Sequence, residues 1–444
     1  MLIALDGRPH QVVPSTAPSA GPNALSRPLR VVVIASMTAH TGNAITAARI
    51  MKLLPGALVS AVDIHTVSSR AVLATHLVAG GSGTGGSGTG GSGSGGSGTG
   101  GGTGGSGTGG PGTPAAGLVL GVHAYRSGKL LLGCGVPYII VLGGTDVNID
   151  LHERAKGEVI RRVIAEAAAV VAFNEELKTA LLALIPEART KVFLIPQAVE
   201  LAPPELVDET EDDAARRRER LRAALDVTTD EQRRRERLRA ALDVTTDEQL
   251  LLLPAGVRPV KDVLWAVEAI SQWHASDPRI CLRIVGPVLD AKYAQTVEAT
   301  LAALAAAPAT ARAVRYVGAL PRAQLHEAMR LAAMVLNTSE SEGQCNSLLE
   351  AMLAGTPVVA RANPGNTSLL VAPGTVHQRY GLLGTTPEEL VSQAQRLLAD
   401  GARDGALAAR LTHAAKAKVG VVNCLLIASS HTPPRPRWLS FIAS

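Results

Sequence analysis

The most informative stretch of this chain is SESEGQCNSLLEAMLAGTPVVA, residues 339–360. It contains Glu342 and Glu350, which are separated by seven residues. We predict a helix that begins near Gln344, so that Glu342 lies in the preceding loop and Glu350 lies about two turns into the helix. The start of this helix exposes backbone N–H groups that have no partner within the helix. A helix end of this kind, placed between two carboxylates, favours a pyrophosphate.

The spacing alone leaves two interpretations of these glutamates open. In the first, Glu350 accepts hydrogen bonds from two vicinal ribose hydroxyls and Glu342 holds a sugar ring. In the second, Glu342 caps the helix and Glu350 is solvated. The helix is followed by Gly355, Thr356 and Pro357 and then by an apolar, strand-like run. This strand-loop-helix-strand context favours the ligand-binding interpretation.

Short apolar runs recur along the rest of the chain and alternate with helix-like stretches. The chain has 444 residues, more than one hydrophobic core usually organises, so we expect two domains. The runs are typical of buried parallel strands joined by crossover helices. Predicted strands occupy residues 29–35, 57–64, 117–122, 138–142, 169–173, 192–195, 250–254, 282–286, 314–318, 334–337 and 357–360. This order predicts an α/β protein with two doubly wound, Rossmann-like domains that face a central cleft.

Changes in composition predict where the domains begin and end. We predict a disordered N-terminal extension at residues 1–28, an N-terminal domain at 29–205, a duplicated helical insert at 206–249, a C-terminal domain at 250–418 and a divergent tail at 419–444. Residues 80–114 are almost entirely Gly, Ser and Thr. A segment of this composition cannot bury a core, and we predict a flexible, disordered insert within the N-terminal domain.

A tandem duplication occupies most of the predicted insert. Residues 216–232 and 233–249 both read RRRERLRAALDVTTDEQ. Leu238 and Leu242 form only a thin apolar stripe at helical spacing. An arm that binds nucleic acid is one interpretation of the arginines, but no aromatic residues interleave and acidic residues follow each cluster. We therefore predict a solvated helical insert between the domains and no nucleic-acid partner.

Overall composition excludes several other classes of protein. The net charge is +5, and much of the arginine excess lies in the duplicated segment, so charge alone does not indicate a nucleic-acid partner. The four cysteines are widely separated, which predicts neither a zinc module nor a disulfide scaffold. The first residues lack the apolar run of a secretory signal, and residues 419–428 are too short and too interrupted to span a bilayer. We expect a cytoplasmic protein with no membrane segment.

The spacing of the two glutamates and the continuation EAMLAGTPVV resemble the EX7E motif of glycosyltransferase family 4, whose members are retaining enzymes of the GT-B fold. The sequence GVRPVKD at residues 256–262 is similar to this family's basic loop, which implies that Arg258 and Lys261 hold the donor diphosphate. Thr41, Gly42 and Asn43 match the family's small-residue loop, which implies that Gly42 and Asn43 contact the donor. The likeness covers most of residues 29–400.

The resemblance also implies roles for residues that the glutamate motif does not include. His123 corresponds to the cleft histidine of the family and is a candidate catalytic residue with Glu342, although a lone histidine at a strand end is more often structural. The acceptor loop is Gly144, Thr145 and Asp146, which either bind acceptor or form a turn. The other donor-binding candidates lie at two helix N-termini. They are Gly343, Gln344, Cys345, Asn346 and Ser347, together with Gly365 and Asn366.

The reaction that the resemblance implies is transfer of a sugar, of the hexosyltransferase type, from a nucleotide-sugar donor to an unknown acceptor. It retains anomeric configuration, needs no cofactor and no obligatory metal, and uses the departing diphosphate to help deprotonate the acceptor. The sequence nominates no carboxylate nucleophile, so Glu342 is interpreted as a binding or charge-stabilising residue. The C-terminal domain would hold the nucleotide sugar.

The sequence leaves two alternative functions open. One is a non-catalytic nucleotide-sugar-binding protein of the same fold, and the other is an arginine-rich interaction protein. The family's last helix, which crosses back onto the first domain, is not recognisable after about Lys418. Loss of that helix would loosen domain closure.

Overall fold

The fold of this protein, in a computed structural model, consists of two parallel six-stranded sheets with helices on their faces. The structure describes residues 30–37, 42–52, 54, 58–67, 69–78, 116–197, 199, 201, 227–372, 379–401 and 405–431. The predicted N-terminal extension, the insert at 80–114 and the first copy of the duplication up to residue 226 lie outside these ranges, as does Thr41. The α/β class and the two doubly wound sheets are confirmed.

The first sheet is built by the N-terminal half of the chain. Its strands are β1 (Arg30–Ala35), β2 (Leu58–Asp63), β3 (Leu118–Val122), β4 (Tyr138–Val141), β5 (Ala169–Ala172) and β6 (Val192–Leu194). Their order is β2-β1-β3-β4-β5-β6, and every pair is parallel. The direction of winding therefore reverses between β1 and β3. Doubly wound sheets bind ligands at such a reversal, next to the carboxyl ends of the strands.

Six α-helices belong to this half of the chain among the residues that the structure describes. They are α1 (Gly42–Lys52), α2 (Arg70–Val78), α3 (Gly128–Leu131), α4 (Thr145–Asn148), α5 (Arg154–Glu166) and α6 (Glu175–Leu184). The first strand reads RVVVIA and is buried along its whole length, as expected for a strand covered by helices on both faces. The side chains of Val32 and Ile34 enter one core and those of Val31 and Val33 the other, because successive side chains of a strand point to opposite faces.

The second sheet repeats this arrangement in the C-terminal half. Its strands are β7 (Gln249–Pro254), β8 (Ile280–Val285), β9 (Val314–Tyr316), β10 (Met334–Asn337), β11 (Val358–Arg361) and β12 (Leu382–Gly384). Their order is β12-β11-β10-β7-β8-β9, again parallel throughout. The winding reverses between β7 and β10. The loops after these two strands carry the predicted basic loop and the predicted glutamate motif, so the topology brings the two motifs to one edge.

The helices of the C-terminal half cover both faces of this sheet. They are α7 (Val227–Ala241), α8 (Val267–Ser276), α9 (Ala291–Ala305), α10 (Arg322–Leu331), α11 (Asn346–Ala354), α12 (Pro364–Leu370), α13 (Pro387–Gly401) and α14 (Ala406–His431). Helix α11 begins two residues after the predicted start. It ends at Gly355, which has φ +84°, a left-handed conformation that glycine adopts at little cost.

The second copy of the duplicated segment is packed more tightly than predicted. Leu242 is fully buried and Leu238 nearly so, and both belong to a core of the second sheet. The buried guanidinium of Arg283 also donates to the carbonyl groups of Leu242 and Asp243. Residues 232–237 of this copy are exposed, as expected for a solvated insert, whereas the two leucines one turn apart dock the helix where a sheet face is open to them.

The chain after Lys418 also differs from the sequence-based expectation. Helix α14 continues to His431, although no last helix is recognisable in the sequence after about Lys418. The ammonium group of Lys418 donates to the carbonyl of Leu369, at the end of α12, at 2.6 Å and lies 4.3 Å from the centre of the Tyr380 ring. The last helix is thereby attached to the short helix α12. Among the helices of the described residues, none has the length and apolar character needed to cross a membrane.

Candidate active site

A cleft of about 280 Å³ lies between the two sheets, at the carboxyl ends of their strands. Side chains from both halves of the chain line it, including loops that follow β1, β3, β7 and β10. The structure therefore brings most of the predicted site residues into one cavity. Those in its wall are Gly42, Asn43, His123, Thr145, Arg258, Lys261, Glu342, Gly343, Gln344, Cys345, Asn346, Ser347 and Glu350.

The basic loop after β7 is fixed by the loop after β10. The loop forms a 3-10 turn, Pro259–Lys261. The backbone N–H of Glu340 donates to the carbonyl of Val260 at 3.0 Å, and the hydroxyl of Thr338 donates to the carbonyl of Lys261 at 3.1 Å. These bonds hold Lys261 at the strand ends. The Nε atom of Arg258 is buried in the same loop and has no hydrogen-bond acceptor among the described residues.

Glu342 is paired with Lys261 across the floor of the cleft. The Nζ atom of Lys261 lies 2.5 Å from Oε1 of Glu342, and Nδ2 of Asn337 donates to the same oxygen at 3.2 Å. Burial raises the pKa of the Glu342 carboxyl, but the charge and hydrogen bond of Lys261 outweigh it, so the pKa lies below its ordinary value. Glu342 is therefore an ionised group held by a cation.

Glu350 lies in α11 and is contacted by three basic side chains. Its Oε1 is 2.7 Å from Nη2 of Arg49 and 3.3 Å from Nη2 of Arg322, and its Oε2 is 3.4 Å from Nε2 of His326. Glu350 is only 4% exposed. Burial raises its pKa, but His326 and the two arginines lower it to a net value below the ordinary one. The carboxylate is thus ionised and still lines the cleft.

His123 follows β3 in an uncommon backbone conformation. Its φ is +79°. This conformation is unfavourable for any residue other than glycine, so contacts with the surrounding structure must stabilise it. The backbone N–H of Arg126 donates to Nδ1 at 3.3 Å, so in the neutral ring the proton is on Nε2, which lies 3.0 Å from Oγ1 of Thr145. Burial lowers the pKa of His123 below its ordinary value; Asp146 and Asp150 oppose this, and Arg126 and Arg258 add to it.

Among the described residues, six hydrogen bonds from the N-terminal half end on the loop and helix of the glutamate motif. Arg49 donates to Asn346 and Glu350, each at 2.7 Å. In the other four, the Asn148 amide donates to the Ser341 hydroxyl and to the carbonyl of Glu342, the Asn174 amide donates to the carbonyl of Gly343, and the backbone N–H of Gln197 donates to the side chain of Gln344. The two halves of the chain are thus closed on one segment, residues 341–350. This segment is the one that carries both predicted glutamates.

Two glycines allow the closest approach across the cleft. A Cβ on Gly144, whose φ is +102°, would lie 2.3 Å from the backbone nitrogen of Gly343. A Cβ on Gly343 would lie 2.9 Å from the carbonyl oxygen of Gly143. Glycine is needed at both positions because backbone packs on backbone. Gly144, predicted to bind acceptor, therefore serves as a contact between the two halves.

Asp146 is the clearest departure from the predicted acceptor loop. It is fully buried, and its carboxylate accepts hydrogen bonds from the backbone N–H groups of Ala124, Gly143, Gly144 and Val147. A carboxylate with four amide donors has little capacity left for a ligand. The prediction that Asp146 binds acceptor is thus wrong, and its alternative, a turn residue, describes the structure.

The predicted phosphate site at Gly365 and Asn366 is also not open. The backbone N–H of Asn366 donates to the side chain of Asn363, which caps helix α12, and the Asn366 side chain is bonded to Asn337 and Arg361. A Cβ on Gly365 would lie 2.2 Å from the carbonyl oxygen of Glu342. This pair therefore supports the glutamate loop from behind and does not line the cleft.

Cys345 lies at the start of α11 and is only 3% exposed. Burial raises the pKa of its thiol to about 12. The thiol therefore stays protonated near neutral pH, and Asn337 donates to its sulfur at 3.2 Å. Cys345 contributes shape to the wall of the cleft rather than a reactive group.

Four basic residues at the site were not nominated from the sequence. Arg49, Arg322 and His326 surround Glu350, and Arg126 lines the cleft beside His123. Arg49 lies two helical turns after Gly42, so helical spacing placed it on the cleft side of α1. Arg322 and His326 are four residues apart and share one face of α10. The sequence shows these spacings. It does not show which group each side chain contacts, because that depends on segments far apart in the chain.

The burial of His123 has a consequence for stability below neutral pH. The pKa of His123 is lowered in the folded chain, so as pH falls through about 6.5 the unfolded chain takes up the proton first. We expect the free energy of unfolding to fall between pH 7.5 and 5.5, with a slope from this residue of at most about 1.4 kcal/mol per pH unit. Urea unfolding across this range measures the slope.

The matched control for this prediction is a second histidine. His123→Asn should flatten the slope, whereas His152→Asn should leave it as in the wild type, because His152 is exposed to water in the folded chain. The carboxyls of Glu342 and Glu350, whose pKa values are lowered, add a further loss of stability only at more acidic pH, below about 4.5. An equal slope in His123→Asn and in the wild type would contradict the prediction.

The C-terminal half of the chain matches a known protein family. Residues 248–400 match the model of the family described as glycosyl transferases group 1. The chain is also 29% identical over 285 residues to "Glycosyltransferase 1 domain-containing protein 1" of Xenopus tropicalis, a match that covers 64% of this chain and 72% of the relative. These two findings confirm the family resemblance deduced from the sequence.

Solved structures share the fold at low sequence identity. A glycosyltransferase from Rickettsia africae is 13% identical, with a TM-score of 0.59 over 94% of this chain and 99% of its own. HepE of Anabaena, solved in complex with UDP-glucose, is 17% identical, with a TM-score of 0.53 over 70% of this chain and 78% of its own. The two parallel sheets and these neighbours show that the chain has the GT-B fold.

Proposed function

We propose that this chain, whose C-terminal half carries a glycosyl transferases group 1 domain, is a retaining glycosyltransferase that moves a sugar from a nucleotide-sugar donor to an acceptor in the cleft. The observation that carries the proposal is the position of the two glutamates. Both line one cleft at the carboxyl ends of the second sheet, with the basic loop beside Glu342 and the start of α11 between them. HepE, a protein of the same fold, was solved with UDP-glucose bound.

The residues divide into a donor side and a sugar side. Arg258 and Lys261 bind the diphosphate, and their charge stabilises the negative charge that builds on the leaving phosphate. Glu350 accepts hydrogen bonds from the ribose hydroxyls, since a carboxylate keeps lone pairs free beyond the donors it already has. On the sugar side, the proposal places Glu342 and neutral His123 beside the transferred ring.

The proposed reaction uses neither a protein nucleophile to attack the sugar nor a protein base to deprotonate the acceptor. Glu342 is held by Lys261 and Asn337, so it stabilises positive charge at the sugar rather than attacking it. The departing diphosphate accepts the proton of the acceptor hydroxyl on the face from which it leaves. The proposal includes no cofactor, because the nucleotide sugar is a substrate and the basic loop supplies positive charge.

Binding and turnover together test the proposal. Isothermal titration with a panel of nucleoside diphosphates identifies the donor base, and hydrolysis of the corresponding nucleotide sugars measures turnover. We expect one nucleoside diphosphate to bind and its sugar conjugate to be hydrolysed slowly. Binding without hydrolysis or transfer would instead indicate a non-catalytic nucleotide-sugar-binding protein, and binding of no member of the panel would exclude both functions.

Lys261→Ala tests the diphosphate site directly. Loss of a charged hydrogen bond is expected to weaken binding of the nucleoside diphosphate by about 1 to 3 kcal/mol, or about 5- to 150-fold. Lys292→Ala is the matched control, because Lys292 is an exposed lysine on α9 that does not line the cleft. Titration calorimetry measures both. Equal losses in the two variants would show a general charge effect and not a site.

A further inference from the structure

Four arginine or lysine side chains of the described residues line the cleft, and two of them have no carboxylate partner. Lys261 is paired with Glu342 at 2.5 Å and Arg322 with Glu350 at 3.3 Å. Arg126 and Arg258 have no carboxylate oxygen within 4.0 Å in the described ranges. Within the described residues, these two positive charges therefore have no ion-pair partner, although the charge of Glu342 acts on Arg258 from a longer distance.

These two arginines lie on opposite halves of the chain and within electrostatic reach of each other. Arg258 follows β7, whereas Arg126 follows β3 and is exposed to solvent. Burial, and then the charge of Arg126, lower the pKa of Arg258, and both cations lower the pKa of His123. Like charges at short range are unfavourable unless an anion lies near them. The buried, unbonded Nε of Arg258 also requires an acceptor.

The donor accounts for only one of these two cations. Its diphosphate is assigned to Arg258, Lys261 and the start of α11, which all belong to the second sheet. Arg126 lies instead on the first half, three residues after His123 and on the same wall as Thr145. In the proposed function this wall lies beside the transferred sugar, so we place the acceptor against it.

We propose that Arg126 binds an anionic group of the acceptor, a phosphate or a carboxylate, opposite the diphosphate-binding loop. This inference rests on the proposed transferase function and names its acceptor as a negatively charged molecule. A guanidinium matches both anions through paired N–H donors. Arg126 is then a residue that selects the acceptor, and the neutral His123 lies between the acceptor anion and the transferred sugar.

The experiment uses the full chain saturated with the nucleoside diphosphate that it binds. Glucose 6-phosphate, glucuronate and glucose are titrated into this complex as phosphate, carboxylate and neutral probes. We expect one or both anionic probes to bind at least tenfold more tightly than glucose. Arg126→Gln should abolish that preference and change the affinity for the nucleoside diphosphate by less than twofold. The preferred probe tells a phosphate acceptor from a carboxylate acceptor.

Lys129→Gln is the matched control, since Lys129 is an exposed cation three residues further on that does not line the cleft. It should leave both affinities unchanged. A fall in nucleoside diphosphate affinity in Arg126→Gln would overturn the proposal by assigning Arg126 to the donor. Failure of the wild-type complex to prefer either anion would overturn it as well. Absence of nucleoside diphosphate binding to the wild type would instead contradict the proposed function itself.

Discussion

Glu350→Ala is expected to weaken nucleoside diphosphate binding by about 10- to 150-fold, the effect of losing a charged hydrogen-bond acceptor at a buried position. The carboxylate is only 4% exposed and lies among Arg49, Arg322 and His326. Removal takes away the acceptor for the ribose and the anion that these three basic groups contact. The loss should therefore exceed that of Lys261→Ala, because Arg258 remains to bind the diphosphate.

Two further variants separate binding from folding. Glu350→Gln keeps the shape of the side chain and one oxygen acceptor, so its loss of affinity should be smaller than that of Glu350→Ala. Glu298→Ala removes an exposed glutamate of α9 that does not line the cleft and should change nothing. Titration calorimetry gives the affinities, and urea unfolding shows whether each variant is folded. Unchanged affinity in both Glu350→Ala and Lys261→Ala would remove the donor-site assignment.

The ion pair between Arg49 and Glu350 connects this donor residue to domain closure. Arg49 comes from α1, in the first half of the chain, and also donates to Asn346 at the start of α11. The pair is nearly buried, with side-chain exposures of 12% and 6%. Its electrostatic attraction is therefore less screened by water and salt than that of a surface pair. A ribose that binds Glu350 must share the carboxylate with this arginine. The proposed donor site and the contact between the two halves thus share one side chain.

Much of the fold could be predicted because its strands are local features of the sequence. Runs such as residues 250–254 and 334–337 are apolar without interruption, and only a strand covered on both faces or a buried helix accepts such a run. Because these runs are only four or five residues long, they indicate strands rather than buried helices. The docking of the duplicated segment could not be predicted, for the opposite reason. Leu238 and Leu242 are a weak local signal, and their burial depends on a sheet face formed by distant residues.

The candidate site shows the same division between local and distant information. The spacing of Glu342 and Glu350 placed both in the cleft, since a loop-helix junction fixes their separation. Asp146 and Asn366 also follow strands, but the Asp146 carboxylate accepts from backbone N–H groups, and the Asn366 amide donates to the Asn337 side chain and the Arg361 carbonyl. Sequence does not distinguish a polar residue that binds a ligand from one that organises a loop, because the same residue types do both. Arg49 was missed because its partners lie about 300 residues away.

Gly343→Ala is expected to lower turnover by about 100-fold while leaving the chain folded. A Cβ at this position would lie 2.9 Å from the carbonyl oxygen of Gly143 and from Cα of Gly144, both backbone atoms of the opposite half. Backbone atoms cannot rotate away, so the two halves must separate. A misplacement on the order of 1 Å at a site that needs aligned reactants costs about 100-fold in rate. Gly343 itself does not have a positive φ, so alanine causes little strain when the halves are apart.

An alanine at position 343 clashes only when the two halves are in contact, so the substitution tests whether their contact is needed for turnover. Gly401→Ala is the control, because an added Cβ there has no atom within 4 Å and Gly401 lies at the end of α13, away from the cleft. The rate of nucleotide-sugar hydrolysis should fall only in Gly343→Ala, and the urea midpoint should stay the same in both. Nucleoside diphosphate binding should fall much less than turnover, since its main proposed contacts, Arg258, Lys261 and Glu350, belong to the second half. If hydrolysis in Gly343→Ala continued at the wild-type rate, the closed arrangement would not be the one in which the sugar is transferred, and the roles of His123 and Arg126 on the opposite wall would fail with it.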